Sequence, residues 1–129
     1  MEFFSSFGGN PVSCSVGLAV LDVIEKEKLQ ENAKLVGSYW KEKLLRLKEK
    51  YPVIGDVRGE GLFLGIEIMD GDQPGTKLAH SIKNKMKEKL ILCSTDGKFD
   101  NVIKLKPPLC FSKENVDTFI NTFKQVLND

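Results

Sequence analysis

The apolar pattern of the chain begins with a stretch that has almost no polar face. Residues 11–24 read Pro-Val-Ser-Cys-Ser-Val-Gly-Leu-Ala-Val-Leu-Asp-Val-Ile, long enough for a helix and carrying Asp22 as the sole charge. A helix that is apolar nearly all round is one covered on several sides. Burying Val12, Val16, Leu18, Val20, Leu21, Val23 and Ile24 is worth on the order of 10 kcal/mol at about 1.5–3 kcal/mol for each side chain. That is comparable to the whole net stability of a domain. So short a chain does not supply all of that cover, and the pattern predicts a missing domain or a subunit interface.

The segment 28–50 is amphipathic instead. Leu29, Ala33, Val36, Trp40, Leu44 and Leu47 recur every three or four residues, while Lys34, Lys41, Lys43, Lys48 and Glu49 form an expected solvated face. Tyr51-Pro52 stops this helix, since a residue before proline avoids the helical region. Residues 53–69 read as a short strand, a tight glycine turn and a longer strand, and 70–75 as a surface turn. Helix returns over 77–89, with Leu78, Ile82 and Met86 as its ridge. A short strand is predicted over 90–93, a turn over 95–98 and another strand over 102–106, stopped by Pro107-Pro108. Alternation in that last strand sets Lys104 and Lys106 on one face. Ser112 is placed to cap a final helix, with Glu114 in its first turn and Val116, Phe119, Ile120, Phe123 and Leu127 as the buried stripe. Two helices, two strands, a helix, two strands and a helix predict an α/β (α+β) fold: a small mixed sheet with helices against it, preceded by a helical arm.

Composition narrows the function classes. At 129 residues the chain has one domain's worth of material. Its 19 basic and 18 acidic residues nearly cancel, leaving no global field to recruit nucleic acid or an anionic membrane surface. Lysines outnumber arginines 17 to 2, which also argues against bidentate readout of bases or phosphates. Cys14, Cys93 and Cys110 are far apart and form no CxxC pair, so reduced thiols inside a cell are expected. The single histidine, His80, reads as a helix surface residue, and a zinc site has no support. No stretch is apolar for long enough to span a bilayer, and residues 1–4 lack the regions of a signal peptide, so the chain is expected to be soluble. Gly59, Gly61 and Gly65 invite a dinucleotide reading that fails, because they do not form G-x-G-x-x-G and a strand follows where a helix should begin.

Immediately before the apolar helix stands Ser5-Ser6-Phe7-Gly8-Gly9-Asn10-Pro11. Asn10 is a good N-cap and Pro11 suits the first helical position. Free amides at such a helix start favour phosphate or carboxylate. Local chemistry leaves two readings open: an anion site, or an ordinary helix entry that binds nothing.

Three blocks in order carry a family resemblance: Ser-Phe-Gly-Gly-Asn-Pro-Val-Ser-Cys (residues 6–14), Gly-Asp-Val-Arg-Gly-Glu-Gly-Leu-Phe-Leu-Gly-Ile-Glu (55–67), and Ser-Thr-Asp-Gly (94–97) with Lys-Leu-Lys-Pro-Pro-Leu-Cys-Phe (104–111). Over essentially its whole length the chain resembles the C-terminal third of class III aminotransferases, pyridoxal-phosphate enzymes of fold type I. Within that class it is most similar to the alanine-glyoxylate aminotransferase 2-like group, which includes the ethanolamine-phosphate and phosphohydroxylysine phospho-lyases.

The resemblance implies roles residue by residue. Ser6, where the family usually has threonine, would contact the phosphate of pyridoxal 5'-phosphate in the neighbouring subunit of a homodimer, with Ser5 and Gly8 as further cofactor-binding residues and Gly8, Gly9 and Asn10 matching the turn that presents it. Lys104 falls where aminotransferases of this class commonly hold the substrate carboxylate with an arginine. Lysine cannot form that planar fork, and its presence tilts the expectation toward phospho-lyase chemistry. Arg58 matches the Val-Arg-Gly block and is expected to be a structural ion-pair residue. Residues 1–27 would belong to the cofactor-domain and dimer interface, and 28–129 to the C-terminal small domain. The family's Schiff-base lysine and main phosphate-binding loop match nothing in these residues, so the chain alone is expected to be inactive and without catalytic residues of its own. In the intact enzyme the substrate would be an amine or amino acid, and the setting intracellular, mitochondrial or cytoplasmic. The alternative is a stand-alone interaction module with the same fold and no chemistry.

Overall fold

A computed structural model describes residues 5, 6 and 8–129; the expectation that residues 1–4 carry no signal peptide lies outside them. The element order is α1 (Pro11–Lys26), α2 (Leu29–Lys48), β1 (Ile54–Glu60), β2 (Phe63–Asp70), β3 (Gln73–Pro74), α3 (Thr76–Glu88), β4 (Ser94–Asp96), β5 (Val102–Leu105) and α4 (Lys113–Asn128). The expected α/β layout with a helical arm is the observed one. Its sheet runs β1-β2-β5-β4, with the two-residue β3 beside β2 where a plain turn was expected. All the pairings are antiparallel, so in place of the mixed sheet there is an antiparallel one, in which the chain crosses over from β2 through α3 to the edge strand β4 and returns as β5 between them.

One face of this sheet is covered and the other is open. Ile54, Val57, Leu64, Ile66, Ile68, Ile103 and Leu105 point inward and are buried with Val36, Trp40, Leu44 and Leu47 of α2, Ala79, Ile82 and Met86 of α3, and Val116, Phe119, Ile120, Phe123 and Val126 of α4. The α2 and α4 stripes follow the predicted spacing, with Val126 fully buried and Leu127 only partly. On α3 the ridge is Ala79-Ile82-Met86, while Leu78 stays at the rim. Trp40 anchors the core by stacking on Phe111 at 5.1 Å and meeting Phe119 edge-on at 5.0 Å. Helix α2 comes so close to the β1–β2 turn that a Cβ on Gly37 would stand 2.1 Å from the Gly61 carbonyl oxygen. At the far end Ser112 accepts from the Asn115 amide while the Asn115 side chain accepts from the Ser112 amide, closing a reciprocal cap on α4.

The strand predicted over 90–93 is displaced to Ser94–Asp96, overlapping the start of the predicted turn. The reason lies in how α3 ends. Leu90 takes φ 64°, its amide donates to Lys87 O, and the Ile91 amide donates to Met86 O. That is a Schellman closure, which consumes 90 and 91 in stopping the helix before a strand can start. Helix α1 departs from the rest in another way: none of its residues is buried, and Val12, Val16, Leu18, Val20, Leu21 and Val23 are 46–72% exposed. The cover its sequence calls for is not supplied by the described residues. Lys28, at φ 52°, breaks α1 from α2.

Candidate functional site

The open face of the sheet carries rows of charge. Arg58 pairs in register with Gly65, Gly65 with Lys104 and Lys104 with Ser94, which makes one row across four strands. Two residues along lie Asp56, Glu67, Val102 and Asp96. Directly paired residues share a face, so these side chains stand together opposite the core. Lys104 and Lys106 share that face as their alternation predicts. Gly65, lacking a side chain, opens a cleft of about 380 Å³ between Arg58 and Lys104, bordered also by Phe63, Val102, Asp96 and Gly97.

Each cation in the cleft has a partner. Arg58 donates to Glu67 at 2.7 Å and to Asp56 at 3.0 Å; Glu67 first and Asp56 second push its guanidinium further into the charged range. Its expected ion-pair role is thus the one the structure gives it. Lys104 donates to Asp96 Oδ2 at 2.7 Å, and Asp96 Oδ1 accepts from the Gly97 amide at 2.8 Å. The Lys104 ammonium, then the Gly97 amide, hold the Asp96 carboxyl below the usual carboxylate range. Sequence reading gave Asp96 no role; the diagonal neighbourhood of two short strands was the signal, and it needed the correct strand limits.

The opening turn is a separate place. Gly8 donates its amide to Ser5 O at 3.3 Å and Ser5 Oγ at 3.1 Å, and Ser6 stands exposed within the turn. Asn10 Oδ1 accepts from the Val12 and Ser13 amides, Cys14 donates to Asn10 O, and Pro11 has no amide to offer. The first turn of α1 is therefore satisfied internally, which, of the two open readings, favours the ordinary helix entry over a site built on free amides. What remains toward a phosphate is hydroxyl chemistry: Ser6, and the Ser5 proton left free when its oxygen accepts. That donor set fits one edge of a phosphate held mainly by other residues. Ser5, Ser6 and Gly8 do not line the cleft that holds Lys104.

His80 on α3 meets Asp100 at 2.6 Å, half-exposed, as a helix surface residue tying down the loop after β4. The cysteines stand free. Among the described residues no group of His, Cys, Asp and Glu gathers as a metal site, and no helix is long and apolar enough to cross a membrane.

The family described as aminotransferase class-III matches residues 2–127. The chain belongs to the class-III aminotransferases. It is 53% identical over 122 residues to alanine–glyoxylate aminotransferase 2 homolog 2, mitochondrial, of Arabidopsis thaliana, covering 92% of this chain and 26% of that protein. It is 49% identical to an alanine–glyoxylate aminotransferase 2-like protein of Drosophila melanogaster, again over 26% of its length. The chain therefore spans about a quarter of these relatives. Among solved structures, a phospholyase from Arthrobacter in complex with phosphoethanolamine superposes with a TM-score of 0.93 at 37% identity, over 98% of this chain and 31% of that one. An amine transaminase from an uncultivated Pseudomonas species, in its PLP-bound form, gives 0.85 at 28% identity over 99% of this chain and 30% of that one. Over the matched residues the small sheet and its helices thus share the fold of both enzymes, the second of which is PLP-bound.

Proposed function

We propose that the chain is the C-terminal part of a homodimeric pyridoxal-phosphate enzyme that eliminates phosphate from a phosphorylated amine. The observation that carries this reading is Lys104: an ammonium on the open face of the sheet, at the position where the class commonly uses arginine for a carboxylate. An ammonium is a point charge suited to a phosphate, and it lacks the fork that matches a carboxylate. The likeness to a phospholyase bound to phosphoethanolamine supports the same reading.

Pyridoxal phosphate, when bound, supplies an electron sink for charge developed at the amine-bearing carbon. The residues of this chain serve binding and orientation. The Ser6 hydroxyl donates to a phosphate oxygen of the cofactor in the neighbouring subunit, with Ser5 and Gly8 shaping the turn that carries it. Lys104 holds the substrate's anionic end. Arg58, committed to Glu67 and Asp56, keeps β1 and β2 in place beside it. Residues 1–27 join the dimer and cofactor-domain interface through the apolar face of α1, and 28–129 form the small domain. The 129 residues by themselves are inactive, and three free cysteines suit an intracellular setting, mitochondrial or cytoplasmic.

The second reading is transamination, favoured by the name of the relative at 53% identity. The full-length enzyme given phosphoethanolamine separates the two. Elimination consumes water and yields acetaldehyde, ammonia and inorganic phosphate; amino transfer to pyruvate yields alanine and leaves the phosphate ester intact. The isolated chain provides a separate check. Pyridoxal phosphate added to it should dialyse away, and a stoichiometric absorbance band surviving dialysis would contradict its inactivity.

A further inference from the structure

A lysine is poorly equipped to mark a fixed place on its own, because its stem is flexible and its charge is not directional. The structure surrounds Lys104 with what it lacks. Asp96 lies diagonally across the β4–β5 pair, since Asp96 pairs with Val102 and Ser94 with Lys104, and its Oδ2 accepts from Lys104 Nζ at 2.7 Å. Asp96 is itself held: Oδ1 accepts from the Gly97 amide at 2.8 Å. Gly97 takes φ +89° to turn back on that carboxylate, and a Cβ there would also crowd Val102 at 3.2 Å. The loop that follows is tied to the body of the domain by the Asp100–His80 contact at 2.6 Å and by Asn101 donating to Ile68 O at 2.8 Å. Asp96 is thus a carboxylate on a braced turn rather than a loose surface acid.

Arg58 faces two carboxylates, whereas Lys104 has one among the described residues. An ammonium has three donors; with one on Asp96, two are left for a ligand in the cleft.

We propose that Asp96 is a positioning residue that holds the Lys104 ammonium over the cleft, so that the anionic group of the substrate meets a cation already in place. The inference rests on the reading of Lys104 as the substrate's anion contact. Asp96 touches no reacting atom; it acts through Lys104 by removing freedom the lysine would otherwise lose on binding.

The test uses the full-length holoenzyme and the cofactor's absorbance change on adding phosphoethanolamine or ethanolamine, which lacks the phosphate. Asp96→Asn is expected to weaken phosphoethanolamine about threefold to tenfold while leaving ethanolamine within about twofold. Asp96→Glu should fall between wild type and Asp96→Asn, and Asp96→Asn in a Lys104→Met background should add nothing to Lys104→Met alone. An equal loss for both amines would mean a merely structural Asp96, and tighter phosphoethanolamine binding would mean that Asp96 screens Lys104 instead; either overturns the inference. If Lys104→Met weakens phosphoethanolamine selectively and Asp96→Asn does not, the inference alone fails. If wild type binds both amines equally and Lys104→Met changes neither, the reading of Lys104 beneath it fails.

Discussion

Asp117 draws Lys43, on the face of α2 expected to be merely solvated, into the fold. It accepts from Tyr39 at 2.8 Å and pairs with Lys43 at 3.0 Å, joining α4 to α2. The Lys43 ammonium first, and the Tyr39 hydroxyl second, hold its carboxyl below the usual range. A carboxyl with a depressed folded pKa gives stability that is present above its unfolded value, near 4, and lost as pH falls through the folded one. Asp96, Asp100 and Glu114 are shifted the same way. Thermal melts from pH 6 downward should therefore show stability falling most steeply below about pH 4, and Asp117→Asn should shallow that acid limb while lowering the neutral plateau. A second residue-scale expectation concerns Gly37, whose Cβ would overlap the Gly61 carbonyl at 2.1 Å. Gly37→Ala should cost about 1–3 kcal/mol by urea unfolding, as overpacking does, although alanine is the better helix former. Lys41, which donates to Gly59 O at 3.0 Å, was legible as a charge on a helix but not as a brace for the glycine turn. Periodicity says which way a side chain points and nothing about what has been brought opposite it.

At the scale of elements, the long periodic segments were readable and the short ones were not. Helices α2 and α4 carry their stripes through several turns, and the Ser112 cap and Pro52 stop mark their ends. Strand β4 has three residues, too few for a period to register, and Leu-Ile-Leu-Cys just before it has the higher strand propensity. Tertiary context won there, because Leu90 is spent on closing α3 in the left-handed region and stands 92% exposed. That conformation costs a non-glycine residue about 1 kcal/mol or somewhat more, so Leu90→Gly should raise the stability of the chain by about 1 kcal/mol in urea titration. No gain would mean that Leu90 finds compensating contacts. The candidate site suffered from the same limit: Lys104 was found through the block that contains it, while Asp96 came into view only with the true strand boundaries. At the opening turn Asn10 was legible as a cap, but residue types alone left open whether the amides behind it were free, and the Asn10 side chain accepts from two of them.

For the whole molecule the decisive fact is an arm that the described residues leave bare. Helix α1 keeps six large apolar side chains 46–72% exposed, as a helix does when its cover comes from elsewhere. The apolar pattern by itself carries this message, because no amphipathic face can be drawn on residues 11–24. Val20→Glu on α1 should leave the melting of the isolated chain within about 0.5 kcal/mol, as for other exposed sites, and in sedimentation of the full-length enzyme should dissociate the dimer proposed above. An intact dimer would contradict α1 as its interface. The phospho-lyase reading is tested most directly by the reaction of the full-length enzyme. Incubated with phosphoethanolamine and pyruvate, it should release inorganic phosphate together with an equal amount of acetaldehyde and form no alanine; alanine formed with the phosphate ester intact would contradict it.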